Sequence, residues 1–251
     1  MRRMTRRAYR GRVTHRPLLV LVHGTRFDTR EWNGYAELIP EADLRTVDLP
    51  GHGTRAGRPY STDAAVAIIE EAVGRAEPGR LVVLAGHSLG GYVSAAYAHR
   101  RPGDLAGLVL IGATADPSRH PRLTRLYTGF AGLLPRVGAD RMSRFANGVM
   151  RRLGTSADDL PDATGYAVTP DAWAAVVAQA RADQLTDVTC PIFLVAGQFD
   201  QLGIDLRTYA RSCRDPRVRV IPRASHLAPL THRDQVAAVL REAVSEAAAA
   251  R

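Results

Sequence analysis

Lysine is absent from this chain of 251 residues, so all 34 basic residues are arginine; against 25 acidic residues they leave a formal net charge of +9. Beyond the first sixteen residues the arginines are scattered along the chain, and aromatic residues make up only 6% of it. A nucleic-acid surface needs basic and aromatic groups gathered on one face, so none is expected; the excess reads as a composition biased towards arginine. Cysteine is scarce as well. Cys190 and Cys213 are too few for a disulfide framework, and Cys190, at the head of an apolar run, is expected to be a packed thiol. No apolar run approaches the roughly 20 residues of a membrane span, and membrane insertion is not expected. The basic start MRRMTRRAYRGR is followed by no apolar segment or small-residue cleavage site, which argues against a signal peptide. A cytoplasmic location is the default expectation. No histidine pair stands at ligand spacing with a carboxylate, so no metal centre is expected. No repeat or low-complexity linker divides the chain, and nothing in it indicates an oligomeric state.

What is present is enough for one large domain: 45% of the residues are hydrophobic. Apolar runs at 18–24 (LLVLVHG), 44–49 (LRTVDL), 81–84 (LVVL), 105–112 (LAGLVLIG), 191–197 (PIFLVAG) and 217–222 (RVRVIP) read as strands. Most are continuous rather than alternating, as in a parallel sheet buried on both faces. A weaker pattern over 4–13 allows one more strand. Helices are expected around 32–39, over 63–76 with Ser61 or Thr62 as its cap, after residue 88, over 203–213 and from Arg233 onwards. Such alternation predicts an α/β fold, a mostly parallel sheet with helices on both faces. From 113 to 189 the alternation stops, and four short helices are expected. The first carries Leu123, Leu126, Tyr127, Phe130 and Leu134, and the second Met142, Phe145 and Met150; the others lie near 156–163 and 170–184.

The stretch at 81–100, LVVLAGHSLGGYVSAAYAHR, is the most informative. An apolar strand meets Gly86-His87-Ser88-Leu89-Gly90, and a helical pattern begins at once. So abrupt a corner forces the residue at its apex into a strained backbone conformation, tolerable only where its neighbours lack side chains. Ser88 is thereby held at the strand end with a helix N-terminus behind it. This is the G-x-S-x-G nucleophile-elbow pattern in a strand–turn–helix context.

On these residues the chain resembles the α/β-hydrolase family over nearly its whole length. The resemblance implies an α/β-hydrolase core formed by 1–112 and 190–251, with 113–189 inserted as a helical lid over the carboxyl ends of the strands. It also implies a serine, an acid and a histidine in that chain order: Ser88 as nucleophile, Asp200 at the end of GQFD, and His226 in RASHLAPL. Asp116 and Asp205 are alternatives for the acid and His232 for the base. Ser225 stands where the family usually has glycine before the histidine. His87 flanks the nucleophile and is expected to point elsewhere. The implied oxyanion donors are the backbone N–H groups of Leu89 and of Thr25, with Gly24 letting that loop approach the substrate. DLPGHG (48–53) matches a second family motif that shapes a loop without doing chemistry. Arg26 and Arg30 lie beside the oxyanion loop, within reach of a substrate carboxylate or phosphate. Leu126, Phe130, Met142 and Phe145 are candidate acyl-pocket residues of the lid.

A serine at the elbow argues against the halide and epoxide chemistry of relatives with aspartate there, and the lack of lysine against the hydroxynitrile lyases. The expected activity is hydrolysis of a carboxylic ester, lactone or thioester of a small molecule, with no cofactor required. Two alternatives stand beside it: a carbon–carbon bond hydrolase or non-hydrolytic lyase on the same scaffold, and a binding protein with slow turnover.

Overall fold

The computed structural model describes residues 15–152 and 155–250. Its six strands are β1 (Leu18–Val22), β2 (Asp43–Val47), β3 (Val82–His87), β4 (Gly107–Ile111), β5 (Ile192–Gly197) and β6 (Pro216–Ile221). They form one sheet in the order β2-β1-β3-β4-β5-β6, with every neighbouring pair parallel. The strand considered over 4–13 lies outside the described residues.

The helices are α1 (Tyr35–Leu38), α2 (Thr62–Gly74), α3 (Leu89–Arg100), α4 (Pro121–Val137), α5 (Ala139–Arg152), α6 (Thr164–Ala167), α7 (Thr169–Gln179), α8 (Leu206–Ser212), α9 (Ala228–Thr231) and α10 (Arg233–Ala249). Every residue of β1, β3, β4 and β5 is buried, as the unbroken apolar runs require. Successive side chains alternate between two faces. Leu18, Val20, Val22, Leu84, Leu108 and Leu194 pack with α2, α3 and α7, while Leu19, Leu21, Val83, Val109, Phe193 and Val195 pack with α1 and α10. The edge strands are only partly buried. On β6, Arg217 and Arg219 reach back to Glu246 and Glu242 of α10, a charged edge that discourages pairing with another sheet.

Of the two possible caps for α2, Ser61 is used: its hydroxyl accepts the Ala64 N–H at 3.1 Å. The helix expected near 156–163 is instead a single 3-10 turn, Ala157–Asp159. Pro161 has no N–H to donate, and Asp162 turns the chain by accepting the Thr164 N–H at 2.8 Å. The last expected helix, near 170–184, ends at Gln179.

The block at 113–189 divides in two. Ala172, Val176, Ala180, Ala182, Leu185 and Val188 belong to the same buried cluster as α2 and α3, so the part from α7 onwards is core. None of the described residues from α4 to α6 belongs to that cluster, although Trp173 of α7 donates to Thr128 of α4 at 3.2 Å. Met150 and Leu160 form a small satellite cluster with Phe27 and Leu230.

The strand order fixes where a ligand can bind. From β1 the chain first goes outward to β2 and then returns past β1 to β3. The loops leaving β1 and β3 therefore part at their carboxyl ends, which opens a crevice at the switch point. No described helix is long and apolar enough to cross a membrane.

Candidate active site

Ser88 sits at that crevice, between β3 and α3, with φ 51° and ψ −116°. The neighbouring glycines are dictated by contact. A Cβ on Gly86 would stand 2.2 Å from the Gly90 carbonyl oxygen, and one on Gly90 would stand 2.4 Å from that of Val22. The corner is held by the Ser88 N–H, which donates to the Ile111 carbonyl of β4 at 2.8 Å.

Two further loops reach Ser88. The loop after β6 carries His226, whose Nε2 accepts the Ser88 hydroxyl at 2.9 Å. The loop after β5 carries Asp200, whose Oδ1 accepts the His226 Nδ1–H at 2.9 Å. Burial by itself would raise the Asp200 carboxyl. The hydrogen bond from His226, with that from the Leu202 N–H at 2.8 Å, outweighs it and holds the group below the usual carboxylate range.

The alternatives are occupied elsewhere. Asp116 caps the turn at Pro117–Arg119 through the Ser118 N–H at 3.0 Å. Asp205 accepts the Asp116 N–H at 2.9 Å and a bond from His120 at 2.8 Å. His232 interacts with Thr231. The Ser225 side chain is exposed, so its departure from the family's glycine is accommodated without a clash.

The loop after β1 forms the opposite wall. The Gly24 N–H donates to Glu31 Oε2 at 2.8 Å and the Arg26 N–H to His52 Nε2 at 3.2 Å, which leaves the N–H of Thr25 between them. Leu89 is the first residue of α3, so its N–H has no acceptor within the helix. In DLPGHG, Asp48 accepts the N–H groups of Thr54 and Thr29 at 2.8 and 3.0 Å, while His52 supports Arg26.

Ser88 and His226 open onto a cavity of about 350 Å³. Gly24, Thr25, Arg26, Phe27 and His87 line it on one side, and Met142, Phe145, Ala146 and Tyr166 from the helical block on the other. Of the candidate acyl-pocket residues, Met142 and Phe145 are among this lining. Leu126 is not: its side chain is exposed and lies outside it. It falls on the outward stripe of an amphipathic helix, which apolar spacing alone cannot tell from the inward one. The side chain of Phe130 is outside the described set, as are those of Leu123, Tyr127 and Leu134. Arg30 is committed to Asp28 and Asp162.

His87 corrects an expectation. It does not point away; its ring packs against that of His226, with centroids 4.9 Å apart, and lines the cavity. Its Nδ1 meets Glu31 Oε1 at 2.6 Å, its Nε2 meets the His226 carbonyl at 2.9 Å, and both side chains are buried. Since a carbonyl only accepts, Nε2 carries a proton. The Nδ1 contact then needs a second proton, shared with the Glu31 carboxylate. Burial would lower the His87 pKa, but Glu31 outweighs it and raises it above the ordinary value. Glu31 therefore ties together the loop bearing Thr25 and the loop bearing His226. Sequence reading missed it, since nothing in TRFDTREW distinguishes Glu31 from Asp28.

Comparison with known proteins agrees with this architecture. A model of the alpha/beta hydrolase family matches residues 19–239. The chain is 40% identical over 105 residues to the biotin biosynthesis bifunctional protein BioHC of Cellvibrio japonicus, a match covering 40% of this chain and 19% of that protein. It is 26% identical over 239 residues to 2-succinyl-6-hydroxy-2,4-cyclohexadiene-1-carboxylate synthase of Serratia proteamaculans, covering 90% of this chain and 92% of that one. Among solved structures, a malate-bound thermophilic esterase from Thermogutta terrifontis superposes with a TM-score of 0.72 at 24% identity, over 93% of this chain and 91% of that one.

Proposed function

The chain belongs to the alpha/beta hydrolase family, and from that premise we propose that it cleaves a carboxylic ester, lactone or thioester through an acyl-enzyme on Ser88. One observation carries the reading: an unbroken hydrogen-bond chain from the Ser88 hydroxyl through His226 to Asp200, 2.9 Å at each step, opening onto a ligand-sized cavity.

The chemistry follows from the donor and acceptor roles. As the Ser88 oxygen attacks the acyl carbon, His226 Nε2 takes its proton. Asp200 keeps Nδ1 protonated and stabilises the imidazolium that results. The carbonyl oxygen gains charge and is met by the N–H groups of Thr25 and Leu89. When the intermediate collapses, the imidazolium gives its proton to the departing alkoxide or thiolate, leaving an acyl ester on Ser88. Water then enters, His226 takes its proton, and a second tetrahedral intermediate releases the acid and restores the serine. The stretch from α4 to α6 serves as the roof. Its Met142, Phe145 and Tyr166 supply binding and orientation rather than bond cleavage.

The test is a fluorophosphonate probe followed by peptide mass spectrometry. The adduct is expected on Ser88 and absent from Ser88→Ala; labelling of any other residue refutes the assignment. An unlabelled wild type favours the slow-turnover binding protein. A second reading, a non-hydrolytic lyase, has one observation in its favour: the relative matched over 90% of this chain bears a synthase name. Hydrolysis in ¹⁸O-labelled water separates the two, since only a hydrolase places the label in the acid product.

A further inference from the structure

Three described residues other than glycine have a left-handed backbone: Arg26 (φ 66°), Ser88 (φ 51°) and Arg223 (φ 61°). Two of them, Ser88 and Arg26, line the same cavity. An arginine gains nothing locally from this conformation, so the surroundings must impose it. They do so from two sides. The Arg26 N–H is held by His52, and α6 packs on the backbone so closely that a Cβ on Gly165 would stand 2.6 Å from the Arg26 Cα.

The side chain that results is half-buried and touches only neutral partners. One Nη donates to the Tyr166 hydroxyl at 2.8 Å, and the other reaches the Met150 sulfur at 3.5 Å. The guanidinium lies over the Phe27 ring, 4.9 Å from its centroid. Phe27, Met150 and Tyr166 are all buried. A guanidinium has five N–H donors, so most of its hydrogen-bonding capacity is uncommitted. Nearby arginines are neutralised: Arg30 by Asp28 and Arg233 by Asp159. Arg26 has no carboxylate partner among the described residues, and no acidic residue lines the cavity. Among the described lining residues it is the one permanently charged side chain, in an otherwise largely apolar chamber.

We infer that Arg26 is the receptor for an anionic group of the substrate, so that the natural substrate is an acyl compound bearing a free carboxylate at the end remote from the bond cleaved. A carboxylate matches better than a phosphate dianion. It brings one charge and two oxygens to the fork of one guanidinium, and among the described lining residues the other cationic group, His87, is already paired with Glu31. The inference rests on the hydrolase reading for the reacting bond, but the anion site itself does not.

The test compares esters matched in size: 4-nitrophenyl hemiglutarate with the valerate, and the hemisuccinate with the butyrate. In wild type, kcat/KM for the carboxylate-bearing member of one pair is expected to exceed that of its neutral partner at least tenfold, and the ratio to shrink as salt is added. In Arg26→Gln the ratio should fall to about one or below, with Arg26→Lys intermediate, because it keeps the charge and loses the fork. A wild-type ratio near one for both pairs overturns the inference while Ser88 still labels, and needs no folded variant. A fall in both members of a pair in Arg26→Gln, with the ratio intact, makes Arg26 a structural prop and also overturns it. If wild type neither labels nor turns over, the hydrolase reading fails, and the anion site is decided by calorimetry with monomethyl glutarate. Binding that Arg26→Gln loses then supports it; equal binding or none overturns it.

Discussion

The floor and the roof of the cavity are built on different principles. Beneath Ser88, the buried charged groups are paired: Glu31 and His87 are almost fully enclosed and linked to each other, to Gly24 and to the His226 carbonyl. Above it, α4 and α5 keep large apolar side chains in the open, Leu126 at 69% and Phe145 at 72% exposure. In the floor, a buried polar group without its partner is costly, so positions are fixed by hydrogen bonds. In the roof, contacts are dispersive and individually small, so they can be exchanged at little cost to the fold. The difference predicts a rigid chemical apparatus under a replaceable specificity surface.

The sharpest way to break that contrast is in the floor. Asp200→Asn should lower turnover by roughly ten-thousandfold, the scale seen when the aspartate of such an arrangement is neutralised, while Asp116→Asn should stay close to wild type. Initial rates on a 4-nitrophenyl ester decide it, and the reverse ranking would move the acid to the loop after β4.

A second change tests the buried pair. Removing one partner of a buried ion pair costs about 3–5 kcal/mol, so Glu31→Gln should lower unfolding stability on that scale in urea titration. The rate of probe labelling at Ser88 should fall too, since both flanking loops lose their tie. A loss below roughly 1 kcal/mol, within the range of an ordinary surface change, would mean the floor is not held by this pair.

Acid should loosen the same floor from another side. Burial, reinforced by the charge of His23, pushes His52 from 6.5 down to about 4, and His23 is lowered by burial as well. Between those values the unfolded chain binds protons that the folded protein refuses. Stability contributed by neutral His52 is thus complete above pH 6.5 and is lost as pH falls towards about 4. At roughly 1.4 kcal/mol per pH unit the loss is on the order of 3 kcal/mol. Thermal melts from pH 7 to 4 should show it, and an unchanged melting temperature across that window would contradict the assignment.

The roof gives the smallest effect. Met142→Ala or Phe145→Ala should reorder a series of acyl chain lengths by about 1–3 kcal/mol while Ser88 still labels fully. Leu126→Ala, outside the cavity, should leave the order alone. If Leu126→Ala reorders the series and the other two do not, the inward and outward faces have been exchanged.

Much of this was readable in the chain. Four strands run as unbroken apolar stretches because both of their faces are covered, and the elbow declares itself because only glycine fits against Gly90 and Val22. Strand–helix alternation and turn chemistry act over a few neighbouring residues, so they leave their mark in the sequence; they put Ser88 at a strand–helix corner, while His226 and the loop at Gly24 were named from the resemblance to the family. What local rules do not carry is which distant loops meet. Asp200, Asp116 and Asp205 all follow strands, and only the packing of the loops after β5 and β6 sets Asp200 against His226. Glu31 and His87 are 56 residues apart and pair only because β1 and β3 lie side by side. In the sequence Arg26 and Arg30 are equal candidates beside the oxyanion loop, and only the structure commits Arg30 to Asp28 and Asp162. The left-handed backbone of Arg26 and its contacts with Met150 and Tyr166 exist only once His52 and α6 have closed on it, and these neighbours lie 26, 124 and 140 residues away in the chain.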